Sequence, residues 1–398
     1  MGDRQSSGVA ADLLWLSMLM LRGKSLFDGE RSIENATVTI DDGKIVAVGD
    51  DRPPAGAEVV DLDEASLLPG LVDCHQHLCF EALSEKTAAA DTESLAEQAR
   101  RSAQRALSAG VTTVRDLGDK DYASLPLRQE PGLPTILCAG PPITVPQGHC
   151  WYLGGEVDPA NGELALRAMV AERVERGCDV VKIMMTGGFL TPTNPMWMSQ
   201  FSLDDLRIIV DEAHGSGLPV AAHCHGLEGI EFAVRAGVDS IEHCSFLDED
   251  LSVNASIDIL TLVAESKIPV STTIGRIPSF PLAPLMAKNL EAGKASRLKL
   301  YELGGVLVPG TDAGIGPAKP HDVMTYALSD FVAIGLTPAQ ALRAMTREAA
   351  GACGLSSNKG RLAPGHDADI LALAGNPLTD IDAIHEPSGV WSAGGRIV

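Results

Sequence analysis

Between Met20 and Leu67 apolar and polar positions alternate in short runs broken by turn pairs. Leu21-Arg22-Gly23-Lys24 and Ala36-Thr37-Val38-Thr39-Ile40 read as half-buried strands. Asp41-Asp42-Gly43 reads as a hairpin turn, and Lys44-Ile45-Val46-Ala47-Val48-Gly49 as the returning strand. The far C-terminus has the same character. Ala368-Asp369-Ile370-Leu371-Ala372-Leu373 is a strand, Gly375-Asn376-Pro377-Leu378 a turn, and Val390 to Val398 a strand–Gly-Gly–strand unit. Both chain ends are therefore expected to be β-rich.

The middle alternates strand and helix. Apolar strand candidates are Leu71-Val72-Asp73, Val111–Val114, Thr135–Leu137, Val180–Ile183, Val220–His223, Ser240–His243, Pro269–Thr272 and Val306–Val308. Amphipathic helices are predicted over Ser94–Ala109, Glu163–Arg176, Leu203–Gly215, Ile230–Ala236, Ile257–Ser266 and Pro338–Ala350. Glycines at 110, 177, 217 and 237 stop helices just before the next strand. Eight buried strands alternating with helices predict an α/β (β/α)8 TIM barrel over 67–352, flanked by a small β-sandwich domain assembled from 1–66 and 353–398. The long segments Cys79–Ser94, Pro141–Asn161 and Thr186–Phe201 would lie over the face where the pocket forms.

Composition narrows the partners. Fifty-three acidic residues against 31 basic ones give a formal charge of −22, which repels nucleic acid and anionic lipid. The eight cysteines form no CxxC pair and read as reduced thiols of a cytoplasmic protein. Leu13–Leu21 is apolar but too short to span a bilayer, and it reads as a buried first strand. The residues before Met18 or Met20 read as a loose leader. The expected partners are a small-molecule amide substrate and further copies of the chain, with no nucleic acid and no membrane.

Histidine placement carries the chemistry. His75 and His77 are two apart on the first barrel strand and so face the same way; His223 and His225 repeat the arrangement, and His243 ends the next strand. Imidazoles gathered at strand ends suit a metal better than they suit packing. Lys182 sits in the apolar run Val180-Val181-Lys182-Ile183-Met184-Met185, where an ammonium must be paired, neutralised or modified. The plainer alternative is a structural ion pair with Asp73 or Asp312. Asp312, in Gly310-Thr311-Asp312-Ala313-Gly314, can ligate a metal and exchange a proton with bound water, or simply cap the following turn.

These residues stand in Leu68-Pro69-Gly70-Leu71-Val72-Asp73-Cys74-His75-Gln76-His77, Val181-Lys182-Ile183-Met184-Met185-Thr186-Gly187-Gly188, Ala222-His223-Cys224-His225-Gly226, Ser240-Ile241-Glu242-His243 and Gly310-Thr311-Asp312-Ala313. In that order they resemble the amidohydrolase superfamily, with its imidazolonepropionase-like and prolidase-like branch (Xaa-Pro dipeptidase and arginine carboxypeptidase type) the nearest in look. The resemblance implies two divalent metal ions, zinc first, with manganese, iron or cobalt as alternatives. His75, His77 and Asp312 would hold one ion and His223 and His243 the other. An N6-carboxylated Lys182 would bridge them, with a hydroxide between as nucleophile. The implied reaction is hydrolysis of an amide C–N bond in a dipeptide, N-acyl amino acid or related small molecule, with Asp312 as general acid–base. A mononuclear cyclic-amide hydrolase or deaminase remains the alternative, and a catalytically silent binding protein on the same scaffold a more distant one.

His149, in Gln147-Gly148-His149-Cys150-Trp151, resembles the family's histidine that contacts the scissile carbonyl. His225 reads as a substrate orienter or as packing. Trp151, Tyr152, Phe189 and Trp197 lie on the overhanging loops as pocket-wall or loop-core residues. Arg276 is a candidate for a substrate carboxylate. His321 is expected to begin a helix, and His214, His366 and His385 to be structural or solvated.

Overall fold

The structure, a computed structural model, describes residues 18–81, 92–191 and 193–398. Seven short strands come first: β1 (Leu19–Arg22), β2 (Ser25–Phe27), β3 (Ser32–Ile33), β4 (Thr37–Asp41), β5 (Lys44–Val48), β6 (Glu58–Asp61) and β7 (Ser66–Pro69). Asp42 and Gly43 turn β4 into β5 with φ of 46° and 72°, the left-handed conformation that a tight hairpin requires. Of the apolar run from Leu13, Leu19–Arg22 is strand, while 13–17 fall outside the described residues.

Eight strands follow: β8 (Leu71–Gln76), β9 (Val111–Asp116), β10 (Thr135–Cys138), β11 (Val181–Met184), β12 (Val220–Gly226), β13 (Ser240–Leu247), β14 (Val270–Thr273) and β15 (Leu307–Gly310). They form two parallel sheets, ordered β10-β9-β8 and β11-β12-β13-β14-β15. Strands covered on both faces read as apolar runs rather than alternations, which is why they were legible by composition. Backbone bonds cross both seams between the sheets. Asp312 N donates to His75 O (2.7 Å) beside a Gln76–Ala313 bridge. At the other seam Ile143 N donates to Lys182 O (2.8 Å), and Met184 N to Ile143 O (2.9 Å).

The helices are α1 (Thr92–Ser108), α2 (Glu163–Arg176), α3 (Leu203–Gly215), α4 (Leu227–Ala236), α5 (Ile257–Ser266), α6 (Pro284–Glu302), α7 (Tyr326–Ile334), α8 (Pro338–Arg343) and α9 (Ala349–Ala352). Ser202 and Asp205 make a reciprocal capping box at the start of α3, and Gly177 ends α2 in the left-handed region. Two helices escaped the sequence pattern. In α6 only Ser296 and Leu300 are buried, so no apolar stripe marks it. In α7 nearly every position is apolar, so its period is blurred. The helix expected over Pro338–Ala350 passes through a π turn at Ala344–Glu348. No helix among the described residues is long and apolar enough to cross a membrane.

The chain closes with β16 (Ile370–Leu373), β17 (Pro387–Ser392) and β18 (Gly395–Arg396). β16 runs antiparallel to β7, placing Ile370 opposite Pro69 and Leu373 opposite Ser66. The two chain ends thus share a sheet, β18-β17-β16-β7-β2-β3, and a second sheet is β5-β4-β1-β6. Leu21, Val38 and Ile45 from one sheet and Leu67, Ile370 and Trp391 from the other form one apolar cluster.

Lys359 fastens this region. Its ammonium pairs with Asp369 (2.7 Å) and Asp367 (2.9 Å), and Lys44 also reaches Asp367. Burial works to lower the Lys359 pKa, but the two carboxylates outweigh it and raise the value; Asp367 is lowered against the same burial by Lys44 and Lys359. The lysine's contribution is present at neutral pH and lost as pH rises through its raised pKa. That of Asp367 is lost as pH falls through its lowered one. Lys359→Met, which strands a buried carboxylate, should cost about 3 kcal/mol. Denaturant titrations across pH should show the gap from wild type widest between about pH 4 and 10. A uniform gap, or none, would count against the latch.

Candidate metal centre

The side chains that converge come from β8, β11, β12 and β13 and from the segments just past β8 and β15. His75 is the next-to-last residue of β8 with His77 just beyond the strand, and Asp312 follows β15. The ligand atoms of His75, His77 and Asp312 lie within 4.8 Å of one another, and so do those of His223, His225 and His243. Asp312 Oδ1 is 3.2 Å from His77 Nε2 and 3.5 Å from His75 Nε2. The two groups adjoin: the His75 and His243 rings are 5.2 Å apart, and those of His223 and His243 4.4 Å. His225 is drawn into the second group, its ring 4.5 Å from both His223 and His243.

Neighbours fix the ring orientations. His77 Nδ1 donates to Gly118 O (2.9 Å), which leaves the Nε2 lone pair facing the site. His75 Nδ1 lies 2.9 Å from Glu242 Oε2. His225 Nδ1 meets Ser245 Oγ at 2.8 Å, and His243 Nδ1 meets Thr273 Oγ1 at 3.2 Å. Such outer contacts orient an imidazole and set its tautomer. Burial, reinforced by neighbouring cations, lowers His75 and His225 to about 4 and holds His223 and His243 well below the usual imidazole range. These rings are neutral at physiological pH, the form that ligates. Burial works to raise Asp312, but His75, His77 and Lys319 outweigh it and hold the carboxyl well below its ordinary range.

Lys182 is the exception to the rule that buried charges are paired. It is 1% exposed, its Nζ has no hydrogen-bond partner, and no carboxylate lies within ion-pair distance among the described residues. The expected alternative partner, Asp73, is engaged elsewhere. It accepts from Thr311 Oγ1 (2.6 Å), Gln76 Nε2 (2.7 Å), Thr311 N (2.9 Å) and His75 N (3.1 Å). Burial lowers the Lys182 pKa and so favours the free amine. Clustered imidazoles, an ionised carboxylate and an orphaned amine together fit a metal centre.

A cavity of about 600 Å³ opens from this cluster. His149, Phe189, His225 and Arg276 line it. His149 is buried with its ring 4.7 Å from that of His223, and burial lowers it to about 3. Trp151, Tyr152 and Trp197 are not among the lining residues. Trp151 and Tyr152 pack edge-on to each other, 6.1 Å between centroids, and Tyr152 leans on the core. Arg276 donates to the carbonyls of Phe280 and Pro281. His321 starts no helix: it is buried, with Nδ1 3.1 Å from Gln76 Oε1 and Nε2 donating to Phe80 O (2.8 Å).

Two supporting residues escaped the sequence reading. Glu242 is fully buried between His75 and Arg115, whose Nη2 is 2.9 Å away, and Ser240 Oγ donates to it (2.7 Å). Burial would raise the Glu242 carboxyl, yet Arg115 and His75 hold it well below its ordinary range. A charged residue inside an apolar strand singled out Lys182, and it marks Arg115 and Glu242 in the same way.

Comparison with known proteins agrees with this geometry. The chain is 28% identical to an ochratoxinase of Aspergillus niger, covering 92% of this chain and 83% of that one. It is 26% identical to an imidazolonepropionase of Salinispora tropica, over 85% and 86% of the two chains. Among solved structures, a Xaa-Pro dipeptidase with bound methionine superposes with a TM-score of 0.83 at 27% identity, over 96% of this chain and 99% of that one. The model of the amidohydrolase family matches residues 66–397. The chain belongs to the amidohydrolase family and is a hydrolase acting on carbon–nitrogen bonds.

Proposed function

We propose that the chain is a binuclear metal-dependent enzyme that hydrolyses an amide bond in a small molecule. In this reading β8–β15 close into a (β/α)8 barrel over 67–352, beside a β-sandwich domain built from 1–66 and 353–398. The backbone bonds across both seams and the apolar cluster shared by the chain ends support that architecture. The observation that carries the function is the partnerless amine of Lys182 in the same cavity wall as both imidazole groups. Carboxylation turns a costly buried cation into an anion with two oxygens. The neutral amine attacks carbon dioxide, an N–C bond forms, and one proton leaves.

His75, His77 and Asp312 would hold one ion, His223 and His243 the other, and carboxylated Lys182 both. Zinc suits this nitrogen-rich donor set. When bound, the ions supply Lewis acidity to the scissile carbonyl and lower the pKa of a water. Asp312, ionised at neutral pH, takes the water's proton and returns it to the leaving nitrogen. Neutral His149 donates a hydrogen bond to the carbonyl oxygen as charge develops there. The name of the similar Xaa-Pro dipeptidase supports an amide as the bond broken.

Elemental analysis of active protein should give two metal ions per chain; one ion with an unmodified lysine would instead support a mononuclear cyclic-amide hydrolase or deaminase. Lys182→Ala should lose activity and metal, with partial rescue by short-chain carboxylates, and wild-type activity in this variant would refute the bridge. Asp312→Asn should keep its fold by circular dichroism while turnover falls by roughly two orders of magnitude. Near-normal turnover there would remove Asp312 from proton transfer. His149→Ala should lower kcat by about 100-fold with little change in KM, and a change confined to KM would make it a wall residue.

A further inference from the structure

Arg297, on α6, is a second cation without a partner in the same cavity. It lines the chamber that His75, His243 and Asp312 also line, and its Nε is buried with no hydrogen-bond partner. Its guanidinium makes no ion pair within 4 Å among the described residues. Four other arginines have a similarly orphaned Nε, but each engages a carboxylate through a terminal nitrogen: Arg128 with Asp179, Arg173 with Glu172, Arg343 with Glu30 and Arg361 with Asp28. Arg297 stands apart from them.

The other charges on this wall are occupied. Arg276 is tied to the Phe280 and Pro281 carbonyls, and Lys319 donates to Thr311 O (2.5 Å) and Gly275 O (3.3 Å). Asp330 accepts from Gly275 N (2.8 Å), and burial disfavours its charged form. The wall therefore holds more cation than anion, in a chain whose formal charge is −22. Space is kept for the guanidinium. A Cβ on Gly293, one turn earlier, would stand 3.1 Å from Arg297 Nη1, so the side chain folds back along α6. α6 also contributes Leu285, Met286 and Leu290 to the lining, and Phe189 and Phe246 belong to it elsewhere.

We infer that Arg297 binds a carboxylate of the substrate, and that the substrate is an amide carrying that carboxylate on a bulky apolar body. This deepens the amide-hydrolase reading above and rests on it. A guanidinium offers a planar fork that matches a carboxylate's two oxygens. The apolar lining takes the rest of the molecule.

The test compares N-benzoyl-L-leucine with N-isopentylbenzamide, the same amide without its carboxylate, on metal-loaded wild type, Arg297→Met, Arg297→Lys and Arg276→Met. Wild type should favour the carboxylate by about 100-fold in kcat/KM, the scale of losing one partner of a buried charge pair. Arg297→Met should bring the carboxylate down to the level of the isopentyl amide, Arg297→Lys should keep part of the preference, and Arg276→Met should keep all of it. A preference that survives Arg297→Met, or vanishes in Arg276→Met, overturns the assignment. Calorimetric binding of phenylbutyrate to the same proteins separates the two readings. If wild type cleaves neither amide, the hydrolase reading falls, and about 100-fold weaker binding to Arg297→Met still supports the anion site. Equal binding to both overturns it, because the anion then sits on the metals. Removing a half-buried charge with no ion-pair partner should not lower the melting temperature. A clearly less stable Arg297→Met would show that the guanidinium holds the fold instead.

Discussion

The cost of placing ionisable groups where water cannot solvate them governs this site. The strand ends bring His75, His77, His223, His243, Asp312 and Lys182 together at 7% exposure or less. In such a place each group must find a partner, lose its charge or take up an external one. His75, His223 and His243 lose their charge. Asp312 keeps its own because His75 and His77 face it. Lys182 and the half-buried Arg297 are left over with no ion-pair partner among the described residues, and both border the cavity. A site built only for stability would have paired them or replaced them with apolar residues, since burying ions is at best neutral for folding.

In the layer beneath, Arg115, Glu242 and Asp73 are each engaged by neighbouring groups. Arg115 from β9 donates to Glu242 on β13 and, through Nε, to the Cys74 carbonyl on β8 (2.8 Å), so one guanidinium ties three strands. Asp73 on β8 binds the backbone and hydroxyl of Thr311 just past β15. These contacts fix the positions of His75 and Asp312, whose backbones also bond directly. The groups that hold these strands are thus distinct from Lys182 and Arg297, which have no ion-pair partner among the described residues.

Much of this was legible in the sequence because each strand carries its chemistry at a fixed place. His75, His77, His223 and His243 stand out as polar residues ending apolar runs, and the same logic exposed Lys182. The parallel strands were found at every predicted place, though each extends a residue or more further than the apolar run suggested. What escaped has physical causes. The aromatic loop residues were assigned by proximity in sequence, yet Trp151 and Tyr152 turn toward each other rather than into the cavity. Arg276 was chosen for following a strand, but a nearby turn of its own loop takes up its guanidinium. Arg297 lies on α6, which buries so little of itself that periodicity could not find the helix, let alone the face it turns to the cavity.

The backbone carries a further mark of function that no pattern of side chains announces. His243, Cys244, Phe246 and Asp312 all have positive φ, from 48° to 67°, although none is glycine. Such conformations cost about 1 to 3 kcal/mol each and persist only where the surroundings over-determine them. Here they do: Asp312 N is held by His75 O, and β13 is paired on both sides. Glycine would relieve the strain at each position, but it has no imidazole and no carboxylate to offer. At His243 and Asp312 the left-handed turn sets the direction in which the side chain leaves the strand end. Other non-glycine residues with positive φ, such as Asp42, Lys267 and Ala393, lie away from the cavity, whereas at His243 and Asp312 the rigid ladder beneath fixes the direction of a side chain that lines it.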